Sequence, residues 1–198
     1  MTMQVAVRQL KGDWDLGYAL HKHVLKSTYL GDDEHGHPRF DNIRSEPGQA
    51  LYELKYRADW TQVGPLAAQL QQSLLPLFRD VGLIVPMPAS IVRARQPVTE
   101  IARELGRLAH LPVYETLVAK APASAPQLKN LTTKEQKVAA LQGRFTINNV
   151  IGGDGQWNAL LLDDLFDTGA SMEAGCAALR SSPKIGKIYA AAITWTHE

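Results

Sequence analysis

The chain has 198 residues, of which 45% are hydrophobic and 21% charged, and its net charge is +1. That length supports one substantial domain with at most a small accessory part, and interspersed charges of both signs argue against a surface for direct nucleic-acid binding. The single Cys176 rules out a disulfide framework or a cysteine zinc site within one chain and is expected in the core. No apolar run is long enough to span a bilayer and the first residues lack a secretory pattern, so a cytoplasmic protein without membrane partners is expected.

Residues 1–45 read as an irregular, strand-rich extension and 46–198 as the core. Candidate strands at 3–10 and 18–25 flank the turn-like Gly12-Asp13-Trp14-Asp15, and 31–38 is a polar loop. Helical spacing follows at 47–56, with Leu51, Leu54 and Lys55 on one face, and at 63–78, with Leu66, Leu70, Leu74 and Leu77. An α/β rhythm then begins. Leu83-Ile84-Val85 is a strand stopped by Pro86-Met87-Pro88, and 98–109 is a helix with Ile101, Leu105 and Leu108 inward. A strand near 116–119 leads into a long polar loop, where Thr132 and Glu135 form a capping-box pattern for a short helix ending before Gly143. Strands at 145–147, 158–162 and 188–195 and a helix at 171–180 complete the chain.

The richest chemistry lies at the end of the 158–162 strand. Three leucines deliver Asp163 and Asp164, and Leu165-Phe166-Asp167-Thr168-Gly169-Ala170-Ser171 leads into the next helix. A loop between a strand end and a helix N-terminus is where open α/β sheets bind ligands, and free N–H groups there favour a phosphate. Gly169 removes a Cβ that would hold the backbone off an anion, while Thr168 and Ser171 add hydroxyls. The two acids can point to opposite sides of the strand or both meet sugar hydroxyls and solvent. They would also set negative charge beside a cationic transition state.

Three other readings compete. A strand, acidic turn and capped helix without a ligand leaves the density of the pattern unexplained. An aspartic-protease reading of Asp167-Thr168-Gly169-Ala170-Ser171 requires a following strand and a second copy. A haloacid-dehalogenase-type phosphatase reading of Asp164 to Thr168 needs lysine and acidic motifs downstream, and too little chain remains.

The segment Leu160 to Ser171 resembles the motif by which type I phosphoribosyltransferases bind 5-phosphoribosyl 1-diphosphate (PRPP). Leu54-Lys55-Tyr56-Arg57, Ile84-Val85-Pro86-Met87-Pro88, Pro126-Gln127 with Leu131 and Glu135, and Gly143-Arg144-Phe145 follow in order the motifs of the ComF/GntX group of that family. The resemblance covers about residues 50–195. It implies a type I phosphoribosyltransferase fold, a twisted, mostly parallel sheet flanked by helices, with the N-terminal segment as a small hood.

The resemblance further implies that PRPP binds through Asp163, Asp164, Asp167, Thr168, Gly169, Ala170 and Ser171, with Asp163, Asp164 and Asp167 serving catalysis. Asp167 matches the position that hypoxanthine-type enzymes use as a proton acceptor near the base. Ala89 and Ser90 would offer N–H groups to pyrophosphate, and Arg93 and Arg95 would neutralise it. Residues 121–137 resemble the loop that closes over PRPP, with Lys129, Lys134 or Lys137 reaching the leaving group. Magnesium is implied with PRPP, held mainly by substrate oxygens and water, and no metal ligand of the protein is assigned. The implied partner is a small nitrogen nucleophile, with a homodimer as a candidate assembly.

Two departures stand out. The group's N-terminal cysteine zinc ribbon is missing, and its usual Arg-Gly-Phe-Asn-Gln is replaced by Arg93-Ala94-Arg95-Gln96-Pro97-Val98. A non-catalytic PRPP- or nucleotide-sensing module, serving competence or DNA uptake, is therefore the alternative. His21, His23, His35 and His37 match no strong zinc spacing and read as surface polar residues.

Overall fold

A computed structural model describes residues 2–91, 93–120 and 144–196. The capping box at Thr132 and Glu135 and the loop lysines Lys129, Lys134 and Lys137 lie outside the described residues. In chain order the elements are β1 (Arg8–Gln9), β2 (Leu16–Lys22), β3 (Val24–Asp32), β4 (Pro38–Arg44), α1 (Glu46–Tyr56) and α2 (Val63–Ser73). Then come β5 (Leu83–Pro86), α3 (Pro97–Ala109), β6 (Val118–Lys120), β7 (Phe145–Ile147), β8 (Trp157–Phe166), α4 (Ala170–Arg180) and β9 (Ile185–Trp195).

The main sheet has the order β1-β2-β9-β8-β5. Its inner pairings are parallel and only β1 runs antiparallel, at one edge. A mixed α/β architecture results, with helices on both faces. Strands covered on both faces read as continuous apolar runs, and β8 and β9 show why. Ala159 and Leu161 pack with Ile188, Ala190 and the α4 side chains Met172, Cys176 and Leu179. Leu160 and Leu162 point the other way, among Leu51 and Leu54 of α1, Leu66 and Leu70 of α2, and Ile101 and Leu105 of α3. Each leucine so buried contributes roughly 1.5–3 kcal/mol gross. Cys176 is fully buried, with its thiol pushed up to about 12 by burial.

The connections create a switch point. From β5 the chain passes through α3 to Val113, which bridges Ile84 in parallel on the edge away from β8. From β8 it passes through α4 to β9, on the edge away from β5. Neighbouring strands β5 and β8 thus send their chains in opposite directions, and their carboxyl ends flank a crevice.

Several boundaries differ from the sequence reading. The helix expected over 63–78 stops at Ser73 and tightens into a 3-10 turn at Leu75–Leu77, because Pro76 lacks an N–H and crowds the preceding turn. The expected strand at 3–10 shrinks to Arg8–Gln9, since the Met3 and Gln4 N–H groups donate to Gln69 Oε1 and Glu46 Oε2 instead of a neighbouring strand. The expected strand at 18–25 breaks at His23 into β2 and β3. The loop expected at 31–38 is the tip of a β3–β4 hairpin, where Asp33 Oδ1 accepts from the His35 and His37 N–H groups. Residues 1–45 are accordingly split: β1 and β2 belong to the main sheet, and the hairpin forms a separate two-stranded sheet. No helix among the described residues is long and apolar enough to cross a membrane.

Candidate functional site

The β5–β8 pairing ends at Pro86↔Leu162, with the Met87 N–H donating to the Leu162 carbonyl at 2.8 Å. β8 was expected to end there but continues to Phe166, because β9 keeps pairing with it through Phe166↔Trp195. The unaccompanied edge opens the crevice. Two adjoining lobes of about 370 and 450 Å³ share Lys55, Ser90, Asp163, Leu165 and Ser171.

The larger lobe is walled by residues 165–172. Gly169 caps α4 with φ +82° and, as a glycine, brings no side chain of its own to the first-turn N–H groups. Access of an anion to the backbone is one reason for glycine here, and the structure adds two more. A residue with a Cβ is strained at that φ, and the Cβ would sit 2.9 Å from Cζ of Phe166. Phe166 is itself held edge-on by Trp14, with ring centroids 6.0 Å apart. Thr168 and Ser171 add hydroxyls to this wall, and Asp167 Oδ1 accepts from Thr196 Oγ1 at 2.9 Å.

The pleat separates the acids. Leu162 faces α1–α3, so Asp163 turns to the opposite face and Asp164 turns back toward α1. There Asp164 Oδ2 meets Lys55 Nζ at 2.7 Å, with the two side chains only 22% and 17% exposed for Lys55 and Asp164. Burial works to lower the Lys55 pKa, but Asp164, joined by Tyr56 and Asp163, more than offsets it and holds the ammonium above its ordinary range. Asp163 lines both lobes. Its carboxyl is pushed up to about 7, first by burial and then by Asp164, against the pull of the Asp164 N–H, Lys55 and Lys120. That N–H donates to Asp163 Oδ1 at 2.8 Å.

The smaller lobe runs along Pro88, Ala89, Ser90 and Arg93 to Lys120. Lys120 Nζ donates to Ser90 Oγ at 3.0 Å. Burial and then Arg144 pull the Lys120 amine below its usual range, with Asp163 opposing them. Gln96 ties the segment into a turn by donating to the Ile91 and Arg93 carbonyls. Of the two arginines singled out from sequence, Arg93 lines the lobe and Arg95 turns elsewhere. The Arg95 guanidinium stacks 4.2 Å over Trp60 and pairs with Glu100 at 3.0 Å.

Sequence reasoning missed the roles of Lys55 and Lys120. Lys55 lay within the Leu54-Lys55-Tyr56-Arg57 string with no task assigned. Lys120 carried a usable signal, a lone cation closing the strand Val118–Lys120 as Asp163 closes an apolar run. The histidines do not converge. His35 and His37 sit at the hairpin tip, His21 Nδ1 accepts from the Lys22 N–H, and His23 Nδ1 lies 3.1 Å from Thr194 Oγ1. Among the described residues no three His, Cys, Asp or Glu side chains converge to hold a metal ion.

One lobe therefore offers backbone N–H groups and hydroxyls, the other adds Arg93 and Lys120 to the Lys55 that both share, and Asp163 stands where they meet. That combination suits a polyol bearing anionic groups at both ends. No protein-family model matches the chain, and no curated protein does.

Proposed function

We propose that the chain is a type I phosphoribosyltransferase-fold protein that binds PRPP and transfers ribose 5-phosphate to a nitrogen nucleophile, releasing pyrophosphate. The observation carrying this reading is the position of Asp163 at the junction of a helix-N-terminal lobe and a cationic lobe.

In this reading the 5-phosphate rests on the first turn of α4, with Thr168 and Ser171 donating to it. Asp163 accepts from a ribose hydroxyl, and Asp164, held by Lys55, sets charge beneath the ring. The diphosphate lies along Ala89 and Ser90, facing Lys120 and Arg93. As the bond from C1′ to the diphosphate oxygen breaks, its electron pair leaves with the diphosphate. Lys120 and Arg93 neutralise the charge gathering there, and the carboxylates stabilise the oxocarbenium-like sugar. The nitrogen nucleophile then bonds to C1′ and loses a proton. Asp167, oriented by Thr196, is the acceptor this arrangement favours. Magnesium brought on the diphosphate would screen its negative charge.

The second reading, a sensor without turnover, is favoured by one observation: Arg95 is spent on Trp60 and Glu100, which leaves fewer cations for a leaving group. Calorimetry with Mg-PRPP followed by a pyrophosphate-release screen across nucleobases and ammonia separates the two. In the double variant Asp163→Asn, Asp164→Asn, PRPP affinity should fall at least about tenfold. Unchanged affinity removes the reading, and binding without release against every acceptor selects the sensor.

A further inference from the structure

We infer that Lys55 is a built-in counter-ion of the acid pair, so that the ligand-free cleft holds no divalent cation and receives one only on the diphosphate of its ligand. This deepens the PRPP reading by saying where the metal is carried.

Adjacent carboxylates at a strand end are an obvious seat for a divalent cation, yet the donor set here is incomplete. Asp164 Oδ2 is taken by Lys55 at 2.7 Å, in a pair largely removed from water, where a charge-assisted bond is strong. Asp163 Oδ1 is taken by the Asp164 N–H at 2.8 Å. One oxygen of Asp163 and one of Asp164 are left, the second on a carboxylate already paired with the ammonium. Magnesium requires near-octahedral oxygen coordination and gives up its waters reluctantly, so two single carboxylate oxygens beside a fixed ammonium are a poor seat for it. No other cluster among the described residues supplies the missing ligands.

The position of Lys55 is set by the fold. It stands in the last turn of α1, whose start is capped by Ser45 Oγ accepting from the Gly48 N–H. Gly48 packs so closely on the end of β2 that a Cβ there would collide with the His23 carbonyl oxygen. Leu51 and Leu54, both 1% exposed, fasten the helix to the sheet. The ammonium is consequently delivered to Asp164 by a rigid element. On the strand side the Thr194 hydroxyl donates to the Asp164 carbonyl at 3.2 Å and faces His23 Nδ1, which holds Asp164 from behind. Lys55 is thus a positioning residue: it fixes and neutralises Asp164 and leaves Asp163 as the acceptor for a sugar hydroxyl.

The test uses Mn2+ alone as the probe, with free ion counted by electron paramagnetic resonance at pH 8 on the full chain. The unmodified protein and Lys55→Arg should bind no Mn2+ tighter than about 1 mM. Lys55→Met, which keeps the side-chain length and removes the charge, should bind it at least about tenfold tighter. Adding Asp164→Asn to Lys55→Met should abolish the gain. No gain in Lys55→Met, or an equal gain in Lys55→Arg, overturns the inference. Should Lys55→Met fail to fold, Lys55→Gln carries the same expectation. The unmodified chain also tests the claim without any variant: Mn2+ held at tens of micromolar in the absence of diphosphate, on the order of 50 µM, overturns it. No PRPP enters these titrations, so a chain that ignores PRPP yet behaves this way toward Mn2+ loses the proposed function and keeps the counter-ion. The opposite pair of results does the reverse.

Discussion

The two lobes share Lys55 and Ser90, but the wall at residues 165–172 is made by consecutive residues where β8 turns into α4, whereas the smaller lobe adds Arg93 from the loop after β5 and Lys120 from β6. The first takes its chemistry from backbone N–H groups whose direction a single φ decides. The second takes it from side-chain charges carried in by separate elements. A local site of this kind should fail all at once, through strain. An assembled site should fail one charge at a time, with the fold intact.

The largest effect should come from the local lobe. Gly169→Val meets both the φ of +82° and the Phe166 ring, and it should cost roughly 2–4 kcal/mol of stability. Ribose 5-phosphate binding should vanish with it. Urea denaturation alongside calorimetry reads both, and an unchanged midpoint with intact binding would break the contrast between the lobes.

Lys120→Ala should act on the other lobe alone. Diphosphate affinity should fall about ten- to a hundredfold while ribose 5-phosphate affinity stays within about twofold. Equal losses for both ligands would show that the lobes are one site energetically.

Asp163, where the lobes meet, gives a pH signature. Its folded pKa of about 7 lies above the ordinary carboxylate value, so the folded protein holds the proton more tightly than the unfolded chain. The resulting stabilisation is complete below about pH 4 and is lost as pH rises through the folded pKa. The wild-type melting temperature should therefore decline from pH 5 to pH 8 by more than that of Asp163→Asn, which should be the more stable protein at pH 8 by about 1–2 kcal/mol. Parallel melting curves across that range would show that the burial, Asp164, Lys55 and Lys120 effects cancel.

The arginines sharpen the comparison most finely. Arg93→Ala should weaken diphosphate binding about threefold. Arg95→Ala should leave binding unchanged and cost about 0.5–1 kcal/mol through its contacts with Trp60 and Glu100. Equal loss of diphosphate affinity from both would mean that Arg95 swings into the cleft when the ligand arrives.

The residues that were legible from sequence share a short range. Leu160 to Leu162 announced a strand buried on both faces, and Ser171 to Arg180 a helix, because burial and helical period are written within a few positions. The strand-end acids and the loop from Asp167 to Ser171 followed from the same window. Of the β3–β4 hairpin the sequence showed only the start of β3, inside the strand expected at 18–25, and the loop at 31–38, because both its faces are open. Leu25, Tyr29, Leu30, Phe40 and Ile43 are all exposed, so no clean inside-to-outside alternation marks it.

By itself the sequence determined the buried strands and their alternation with helices, the strand-to-helix turn and the presence of two acids at its mouth, since backbone preference and apolar periodicity act between near neighbours. Only the tertiary structure decided that β8 outruns β5 and opens a crevice, that Asp164 is matched by Lys55 while Asp163 is left in the cleft, that Lys120 faces Ser90, and that Arg95 is drawn off to Trp60. The physical reason is range. What a charged side chain does is set by the charges and the water around it, and those depend on where distant segments of the chain return.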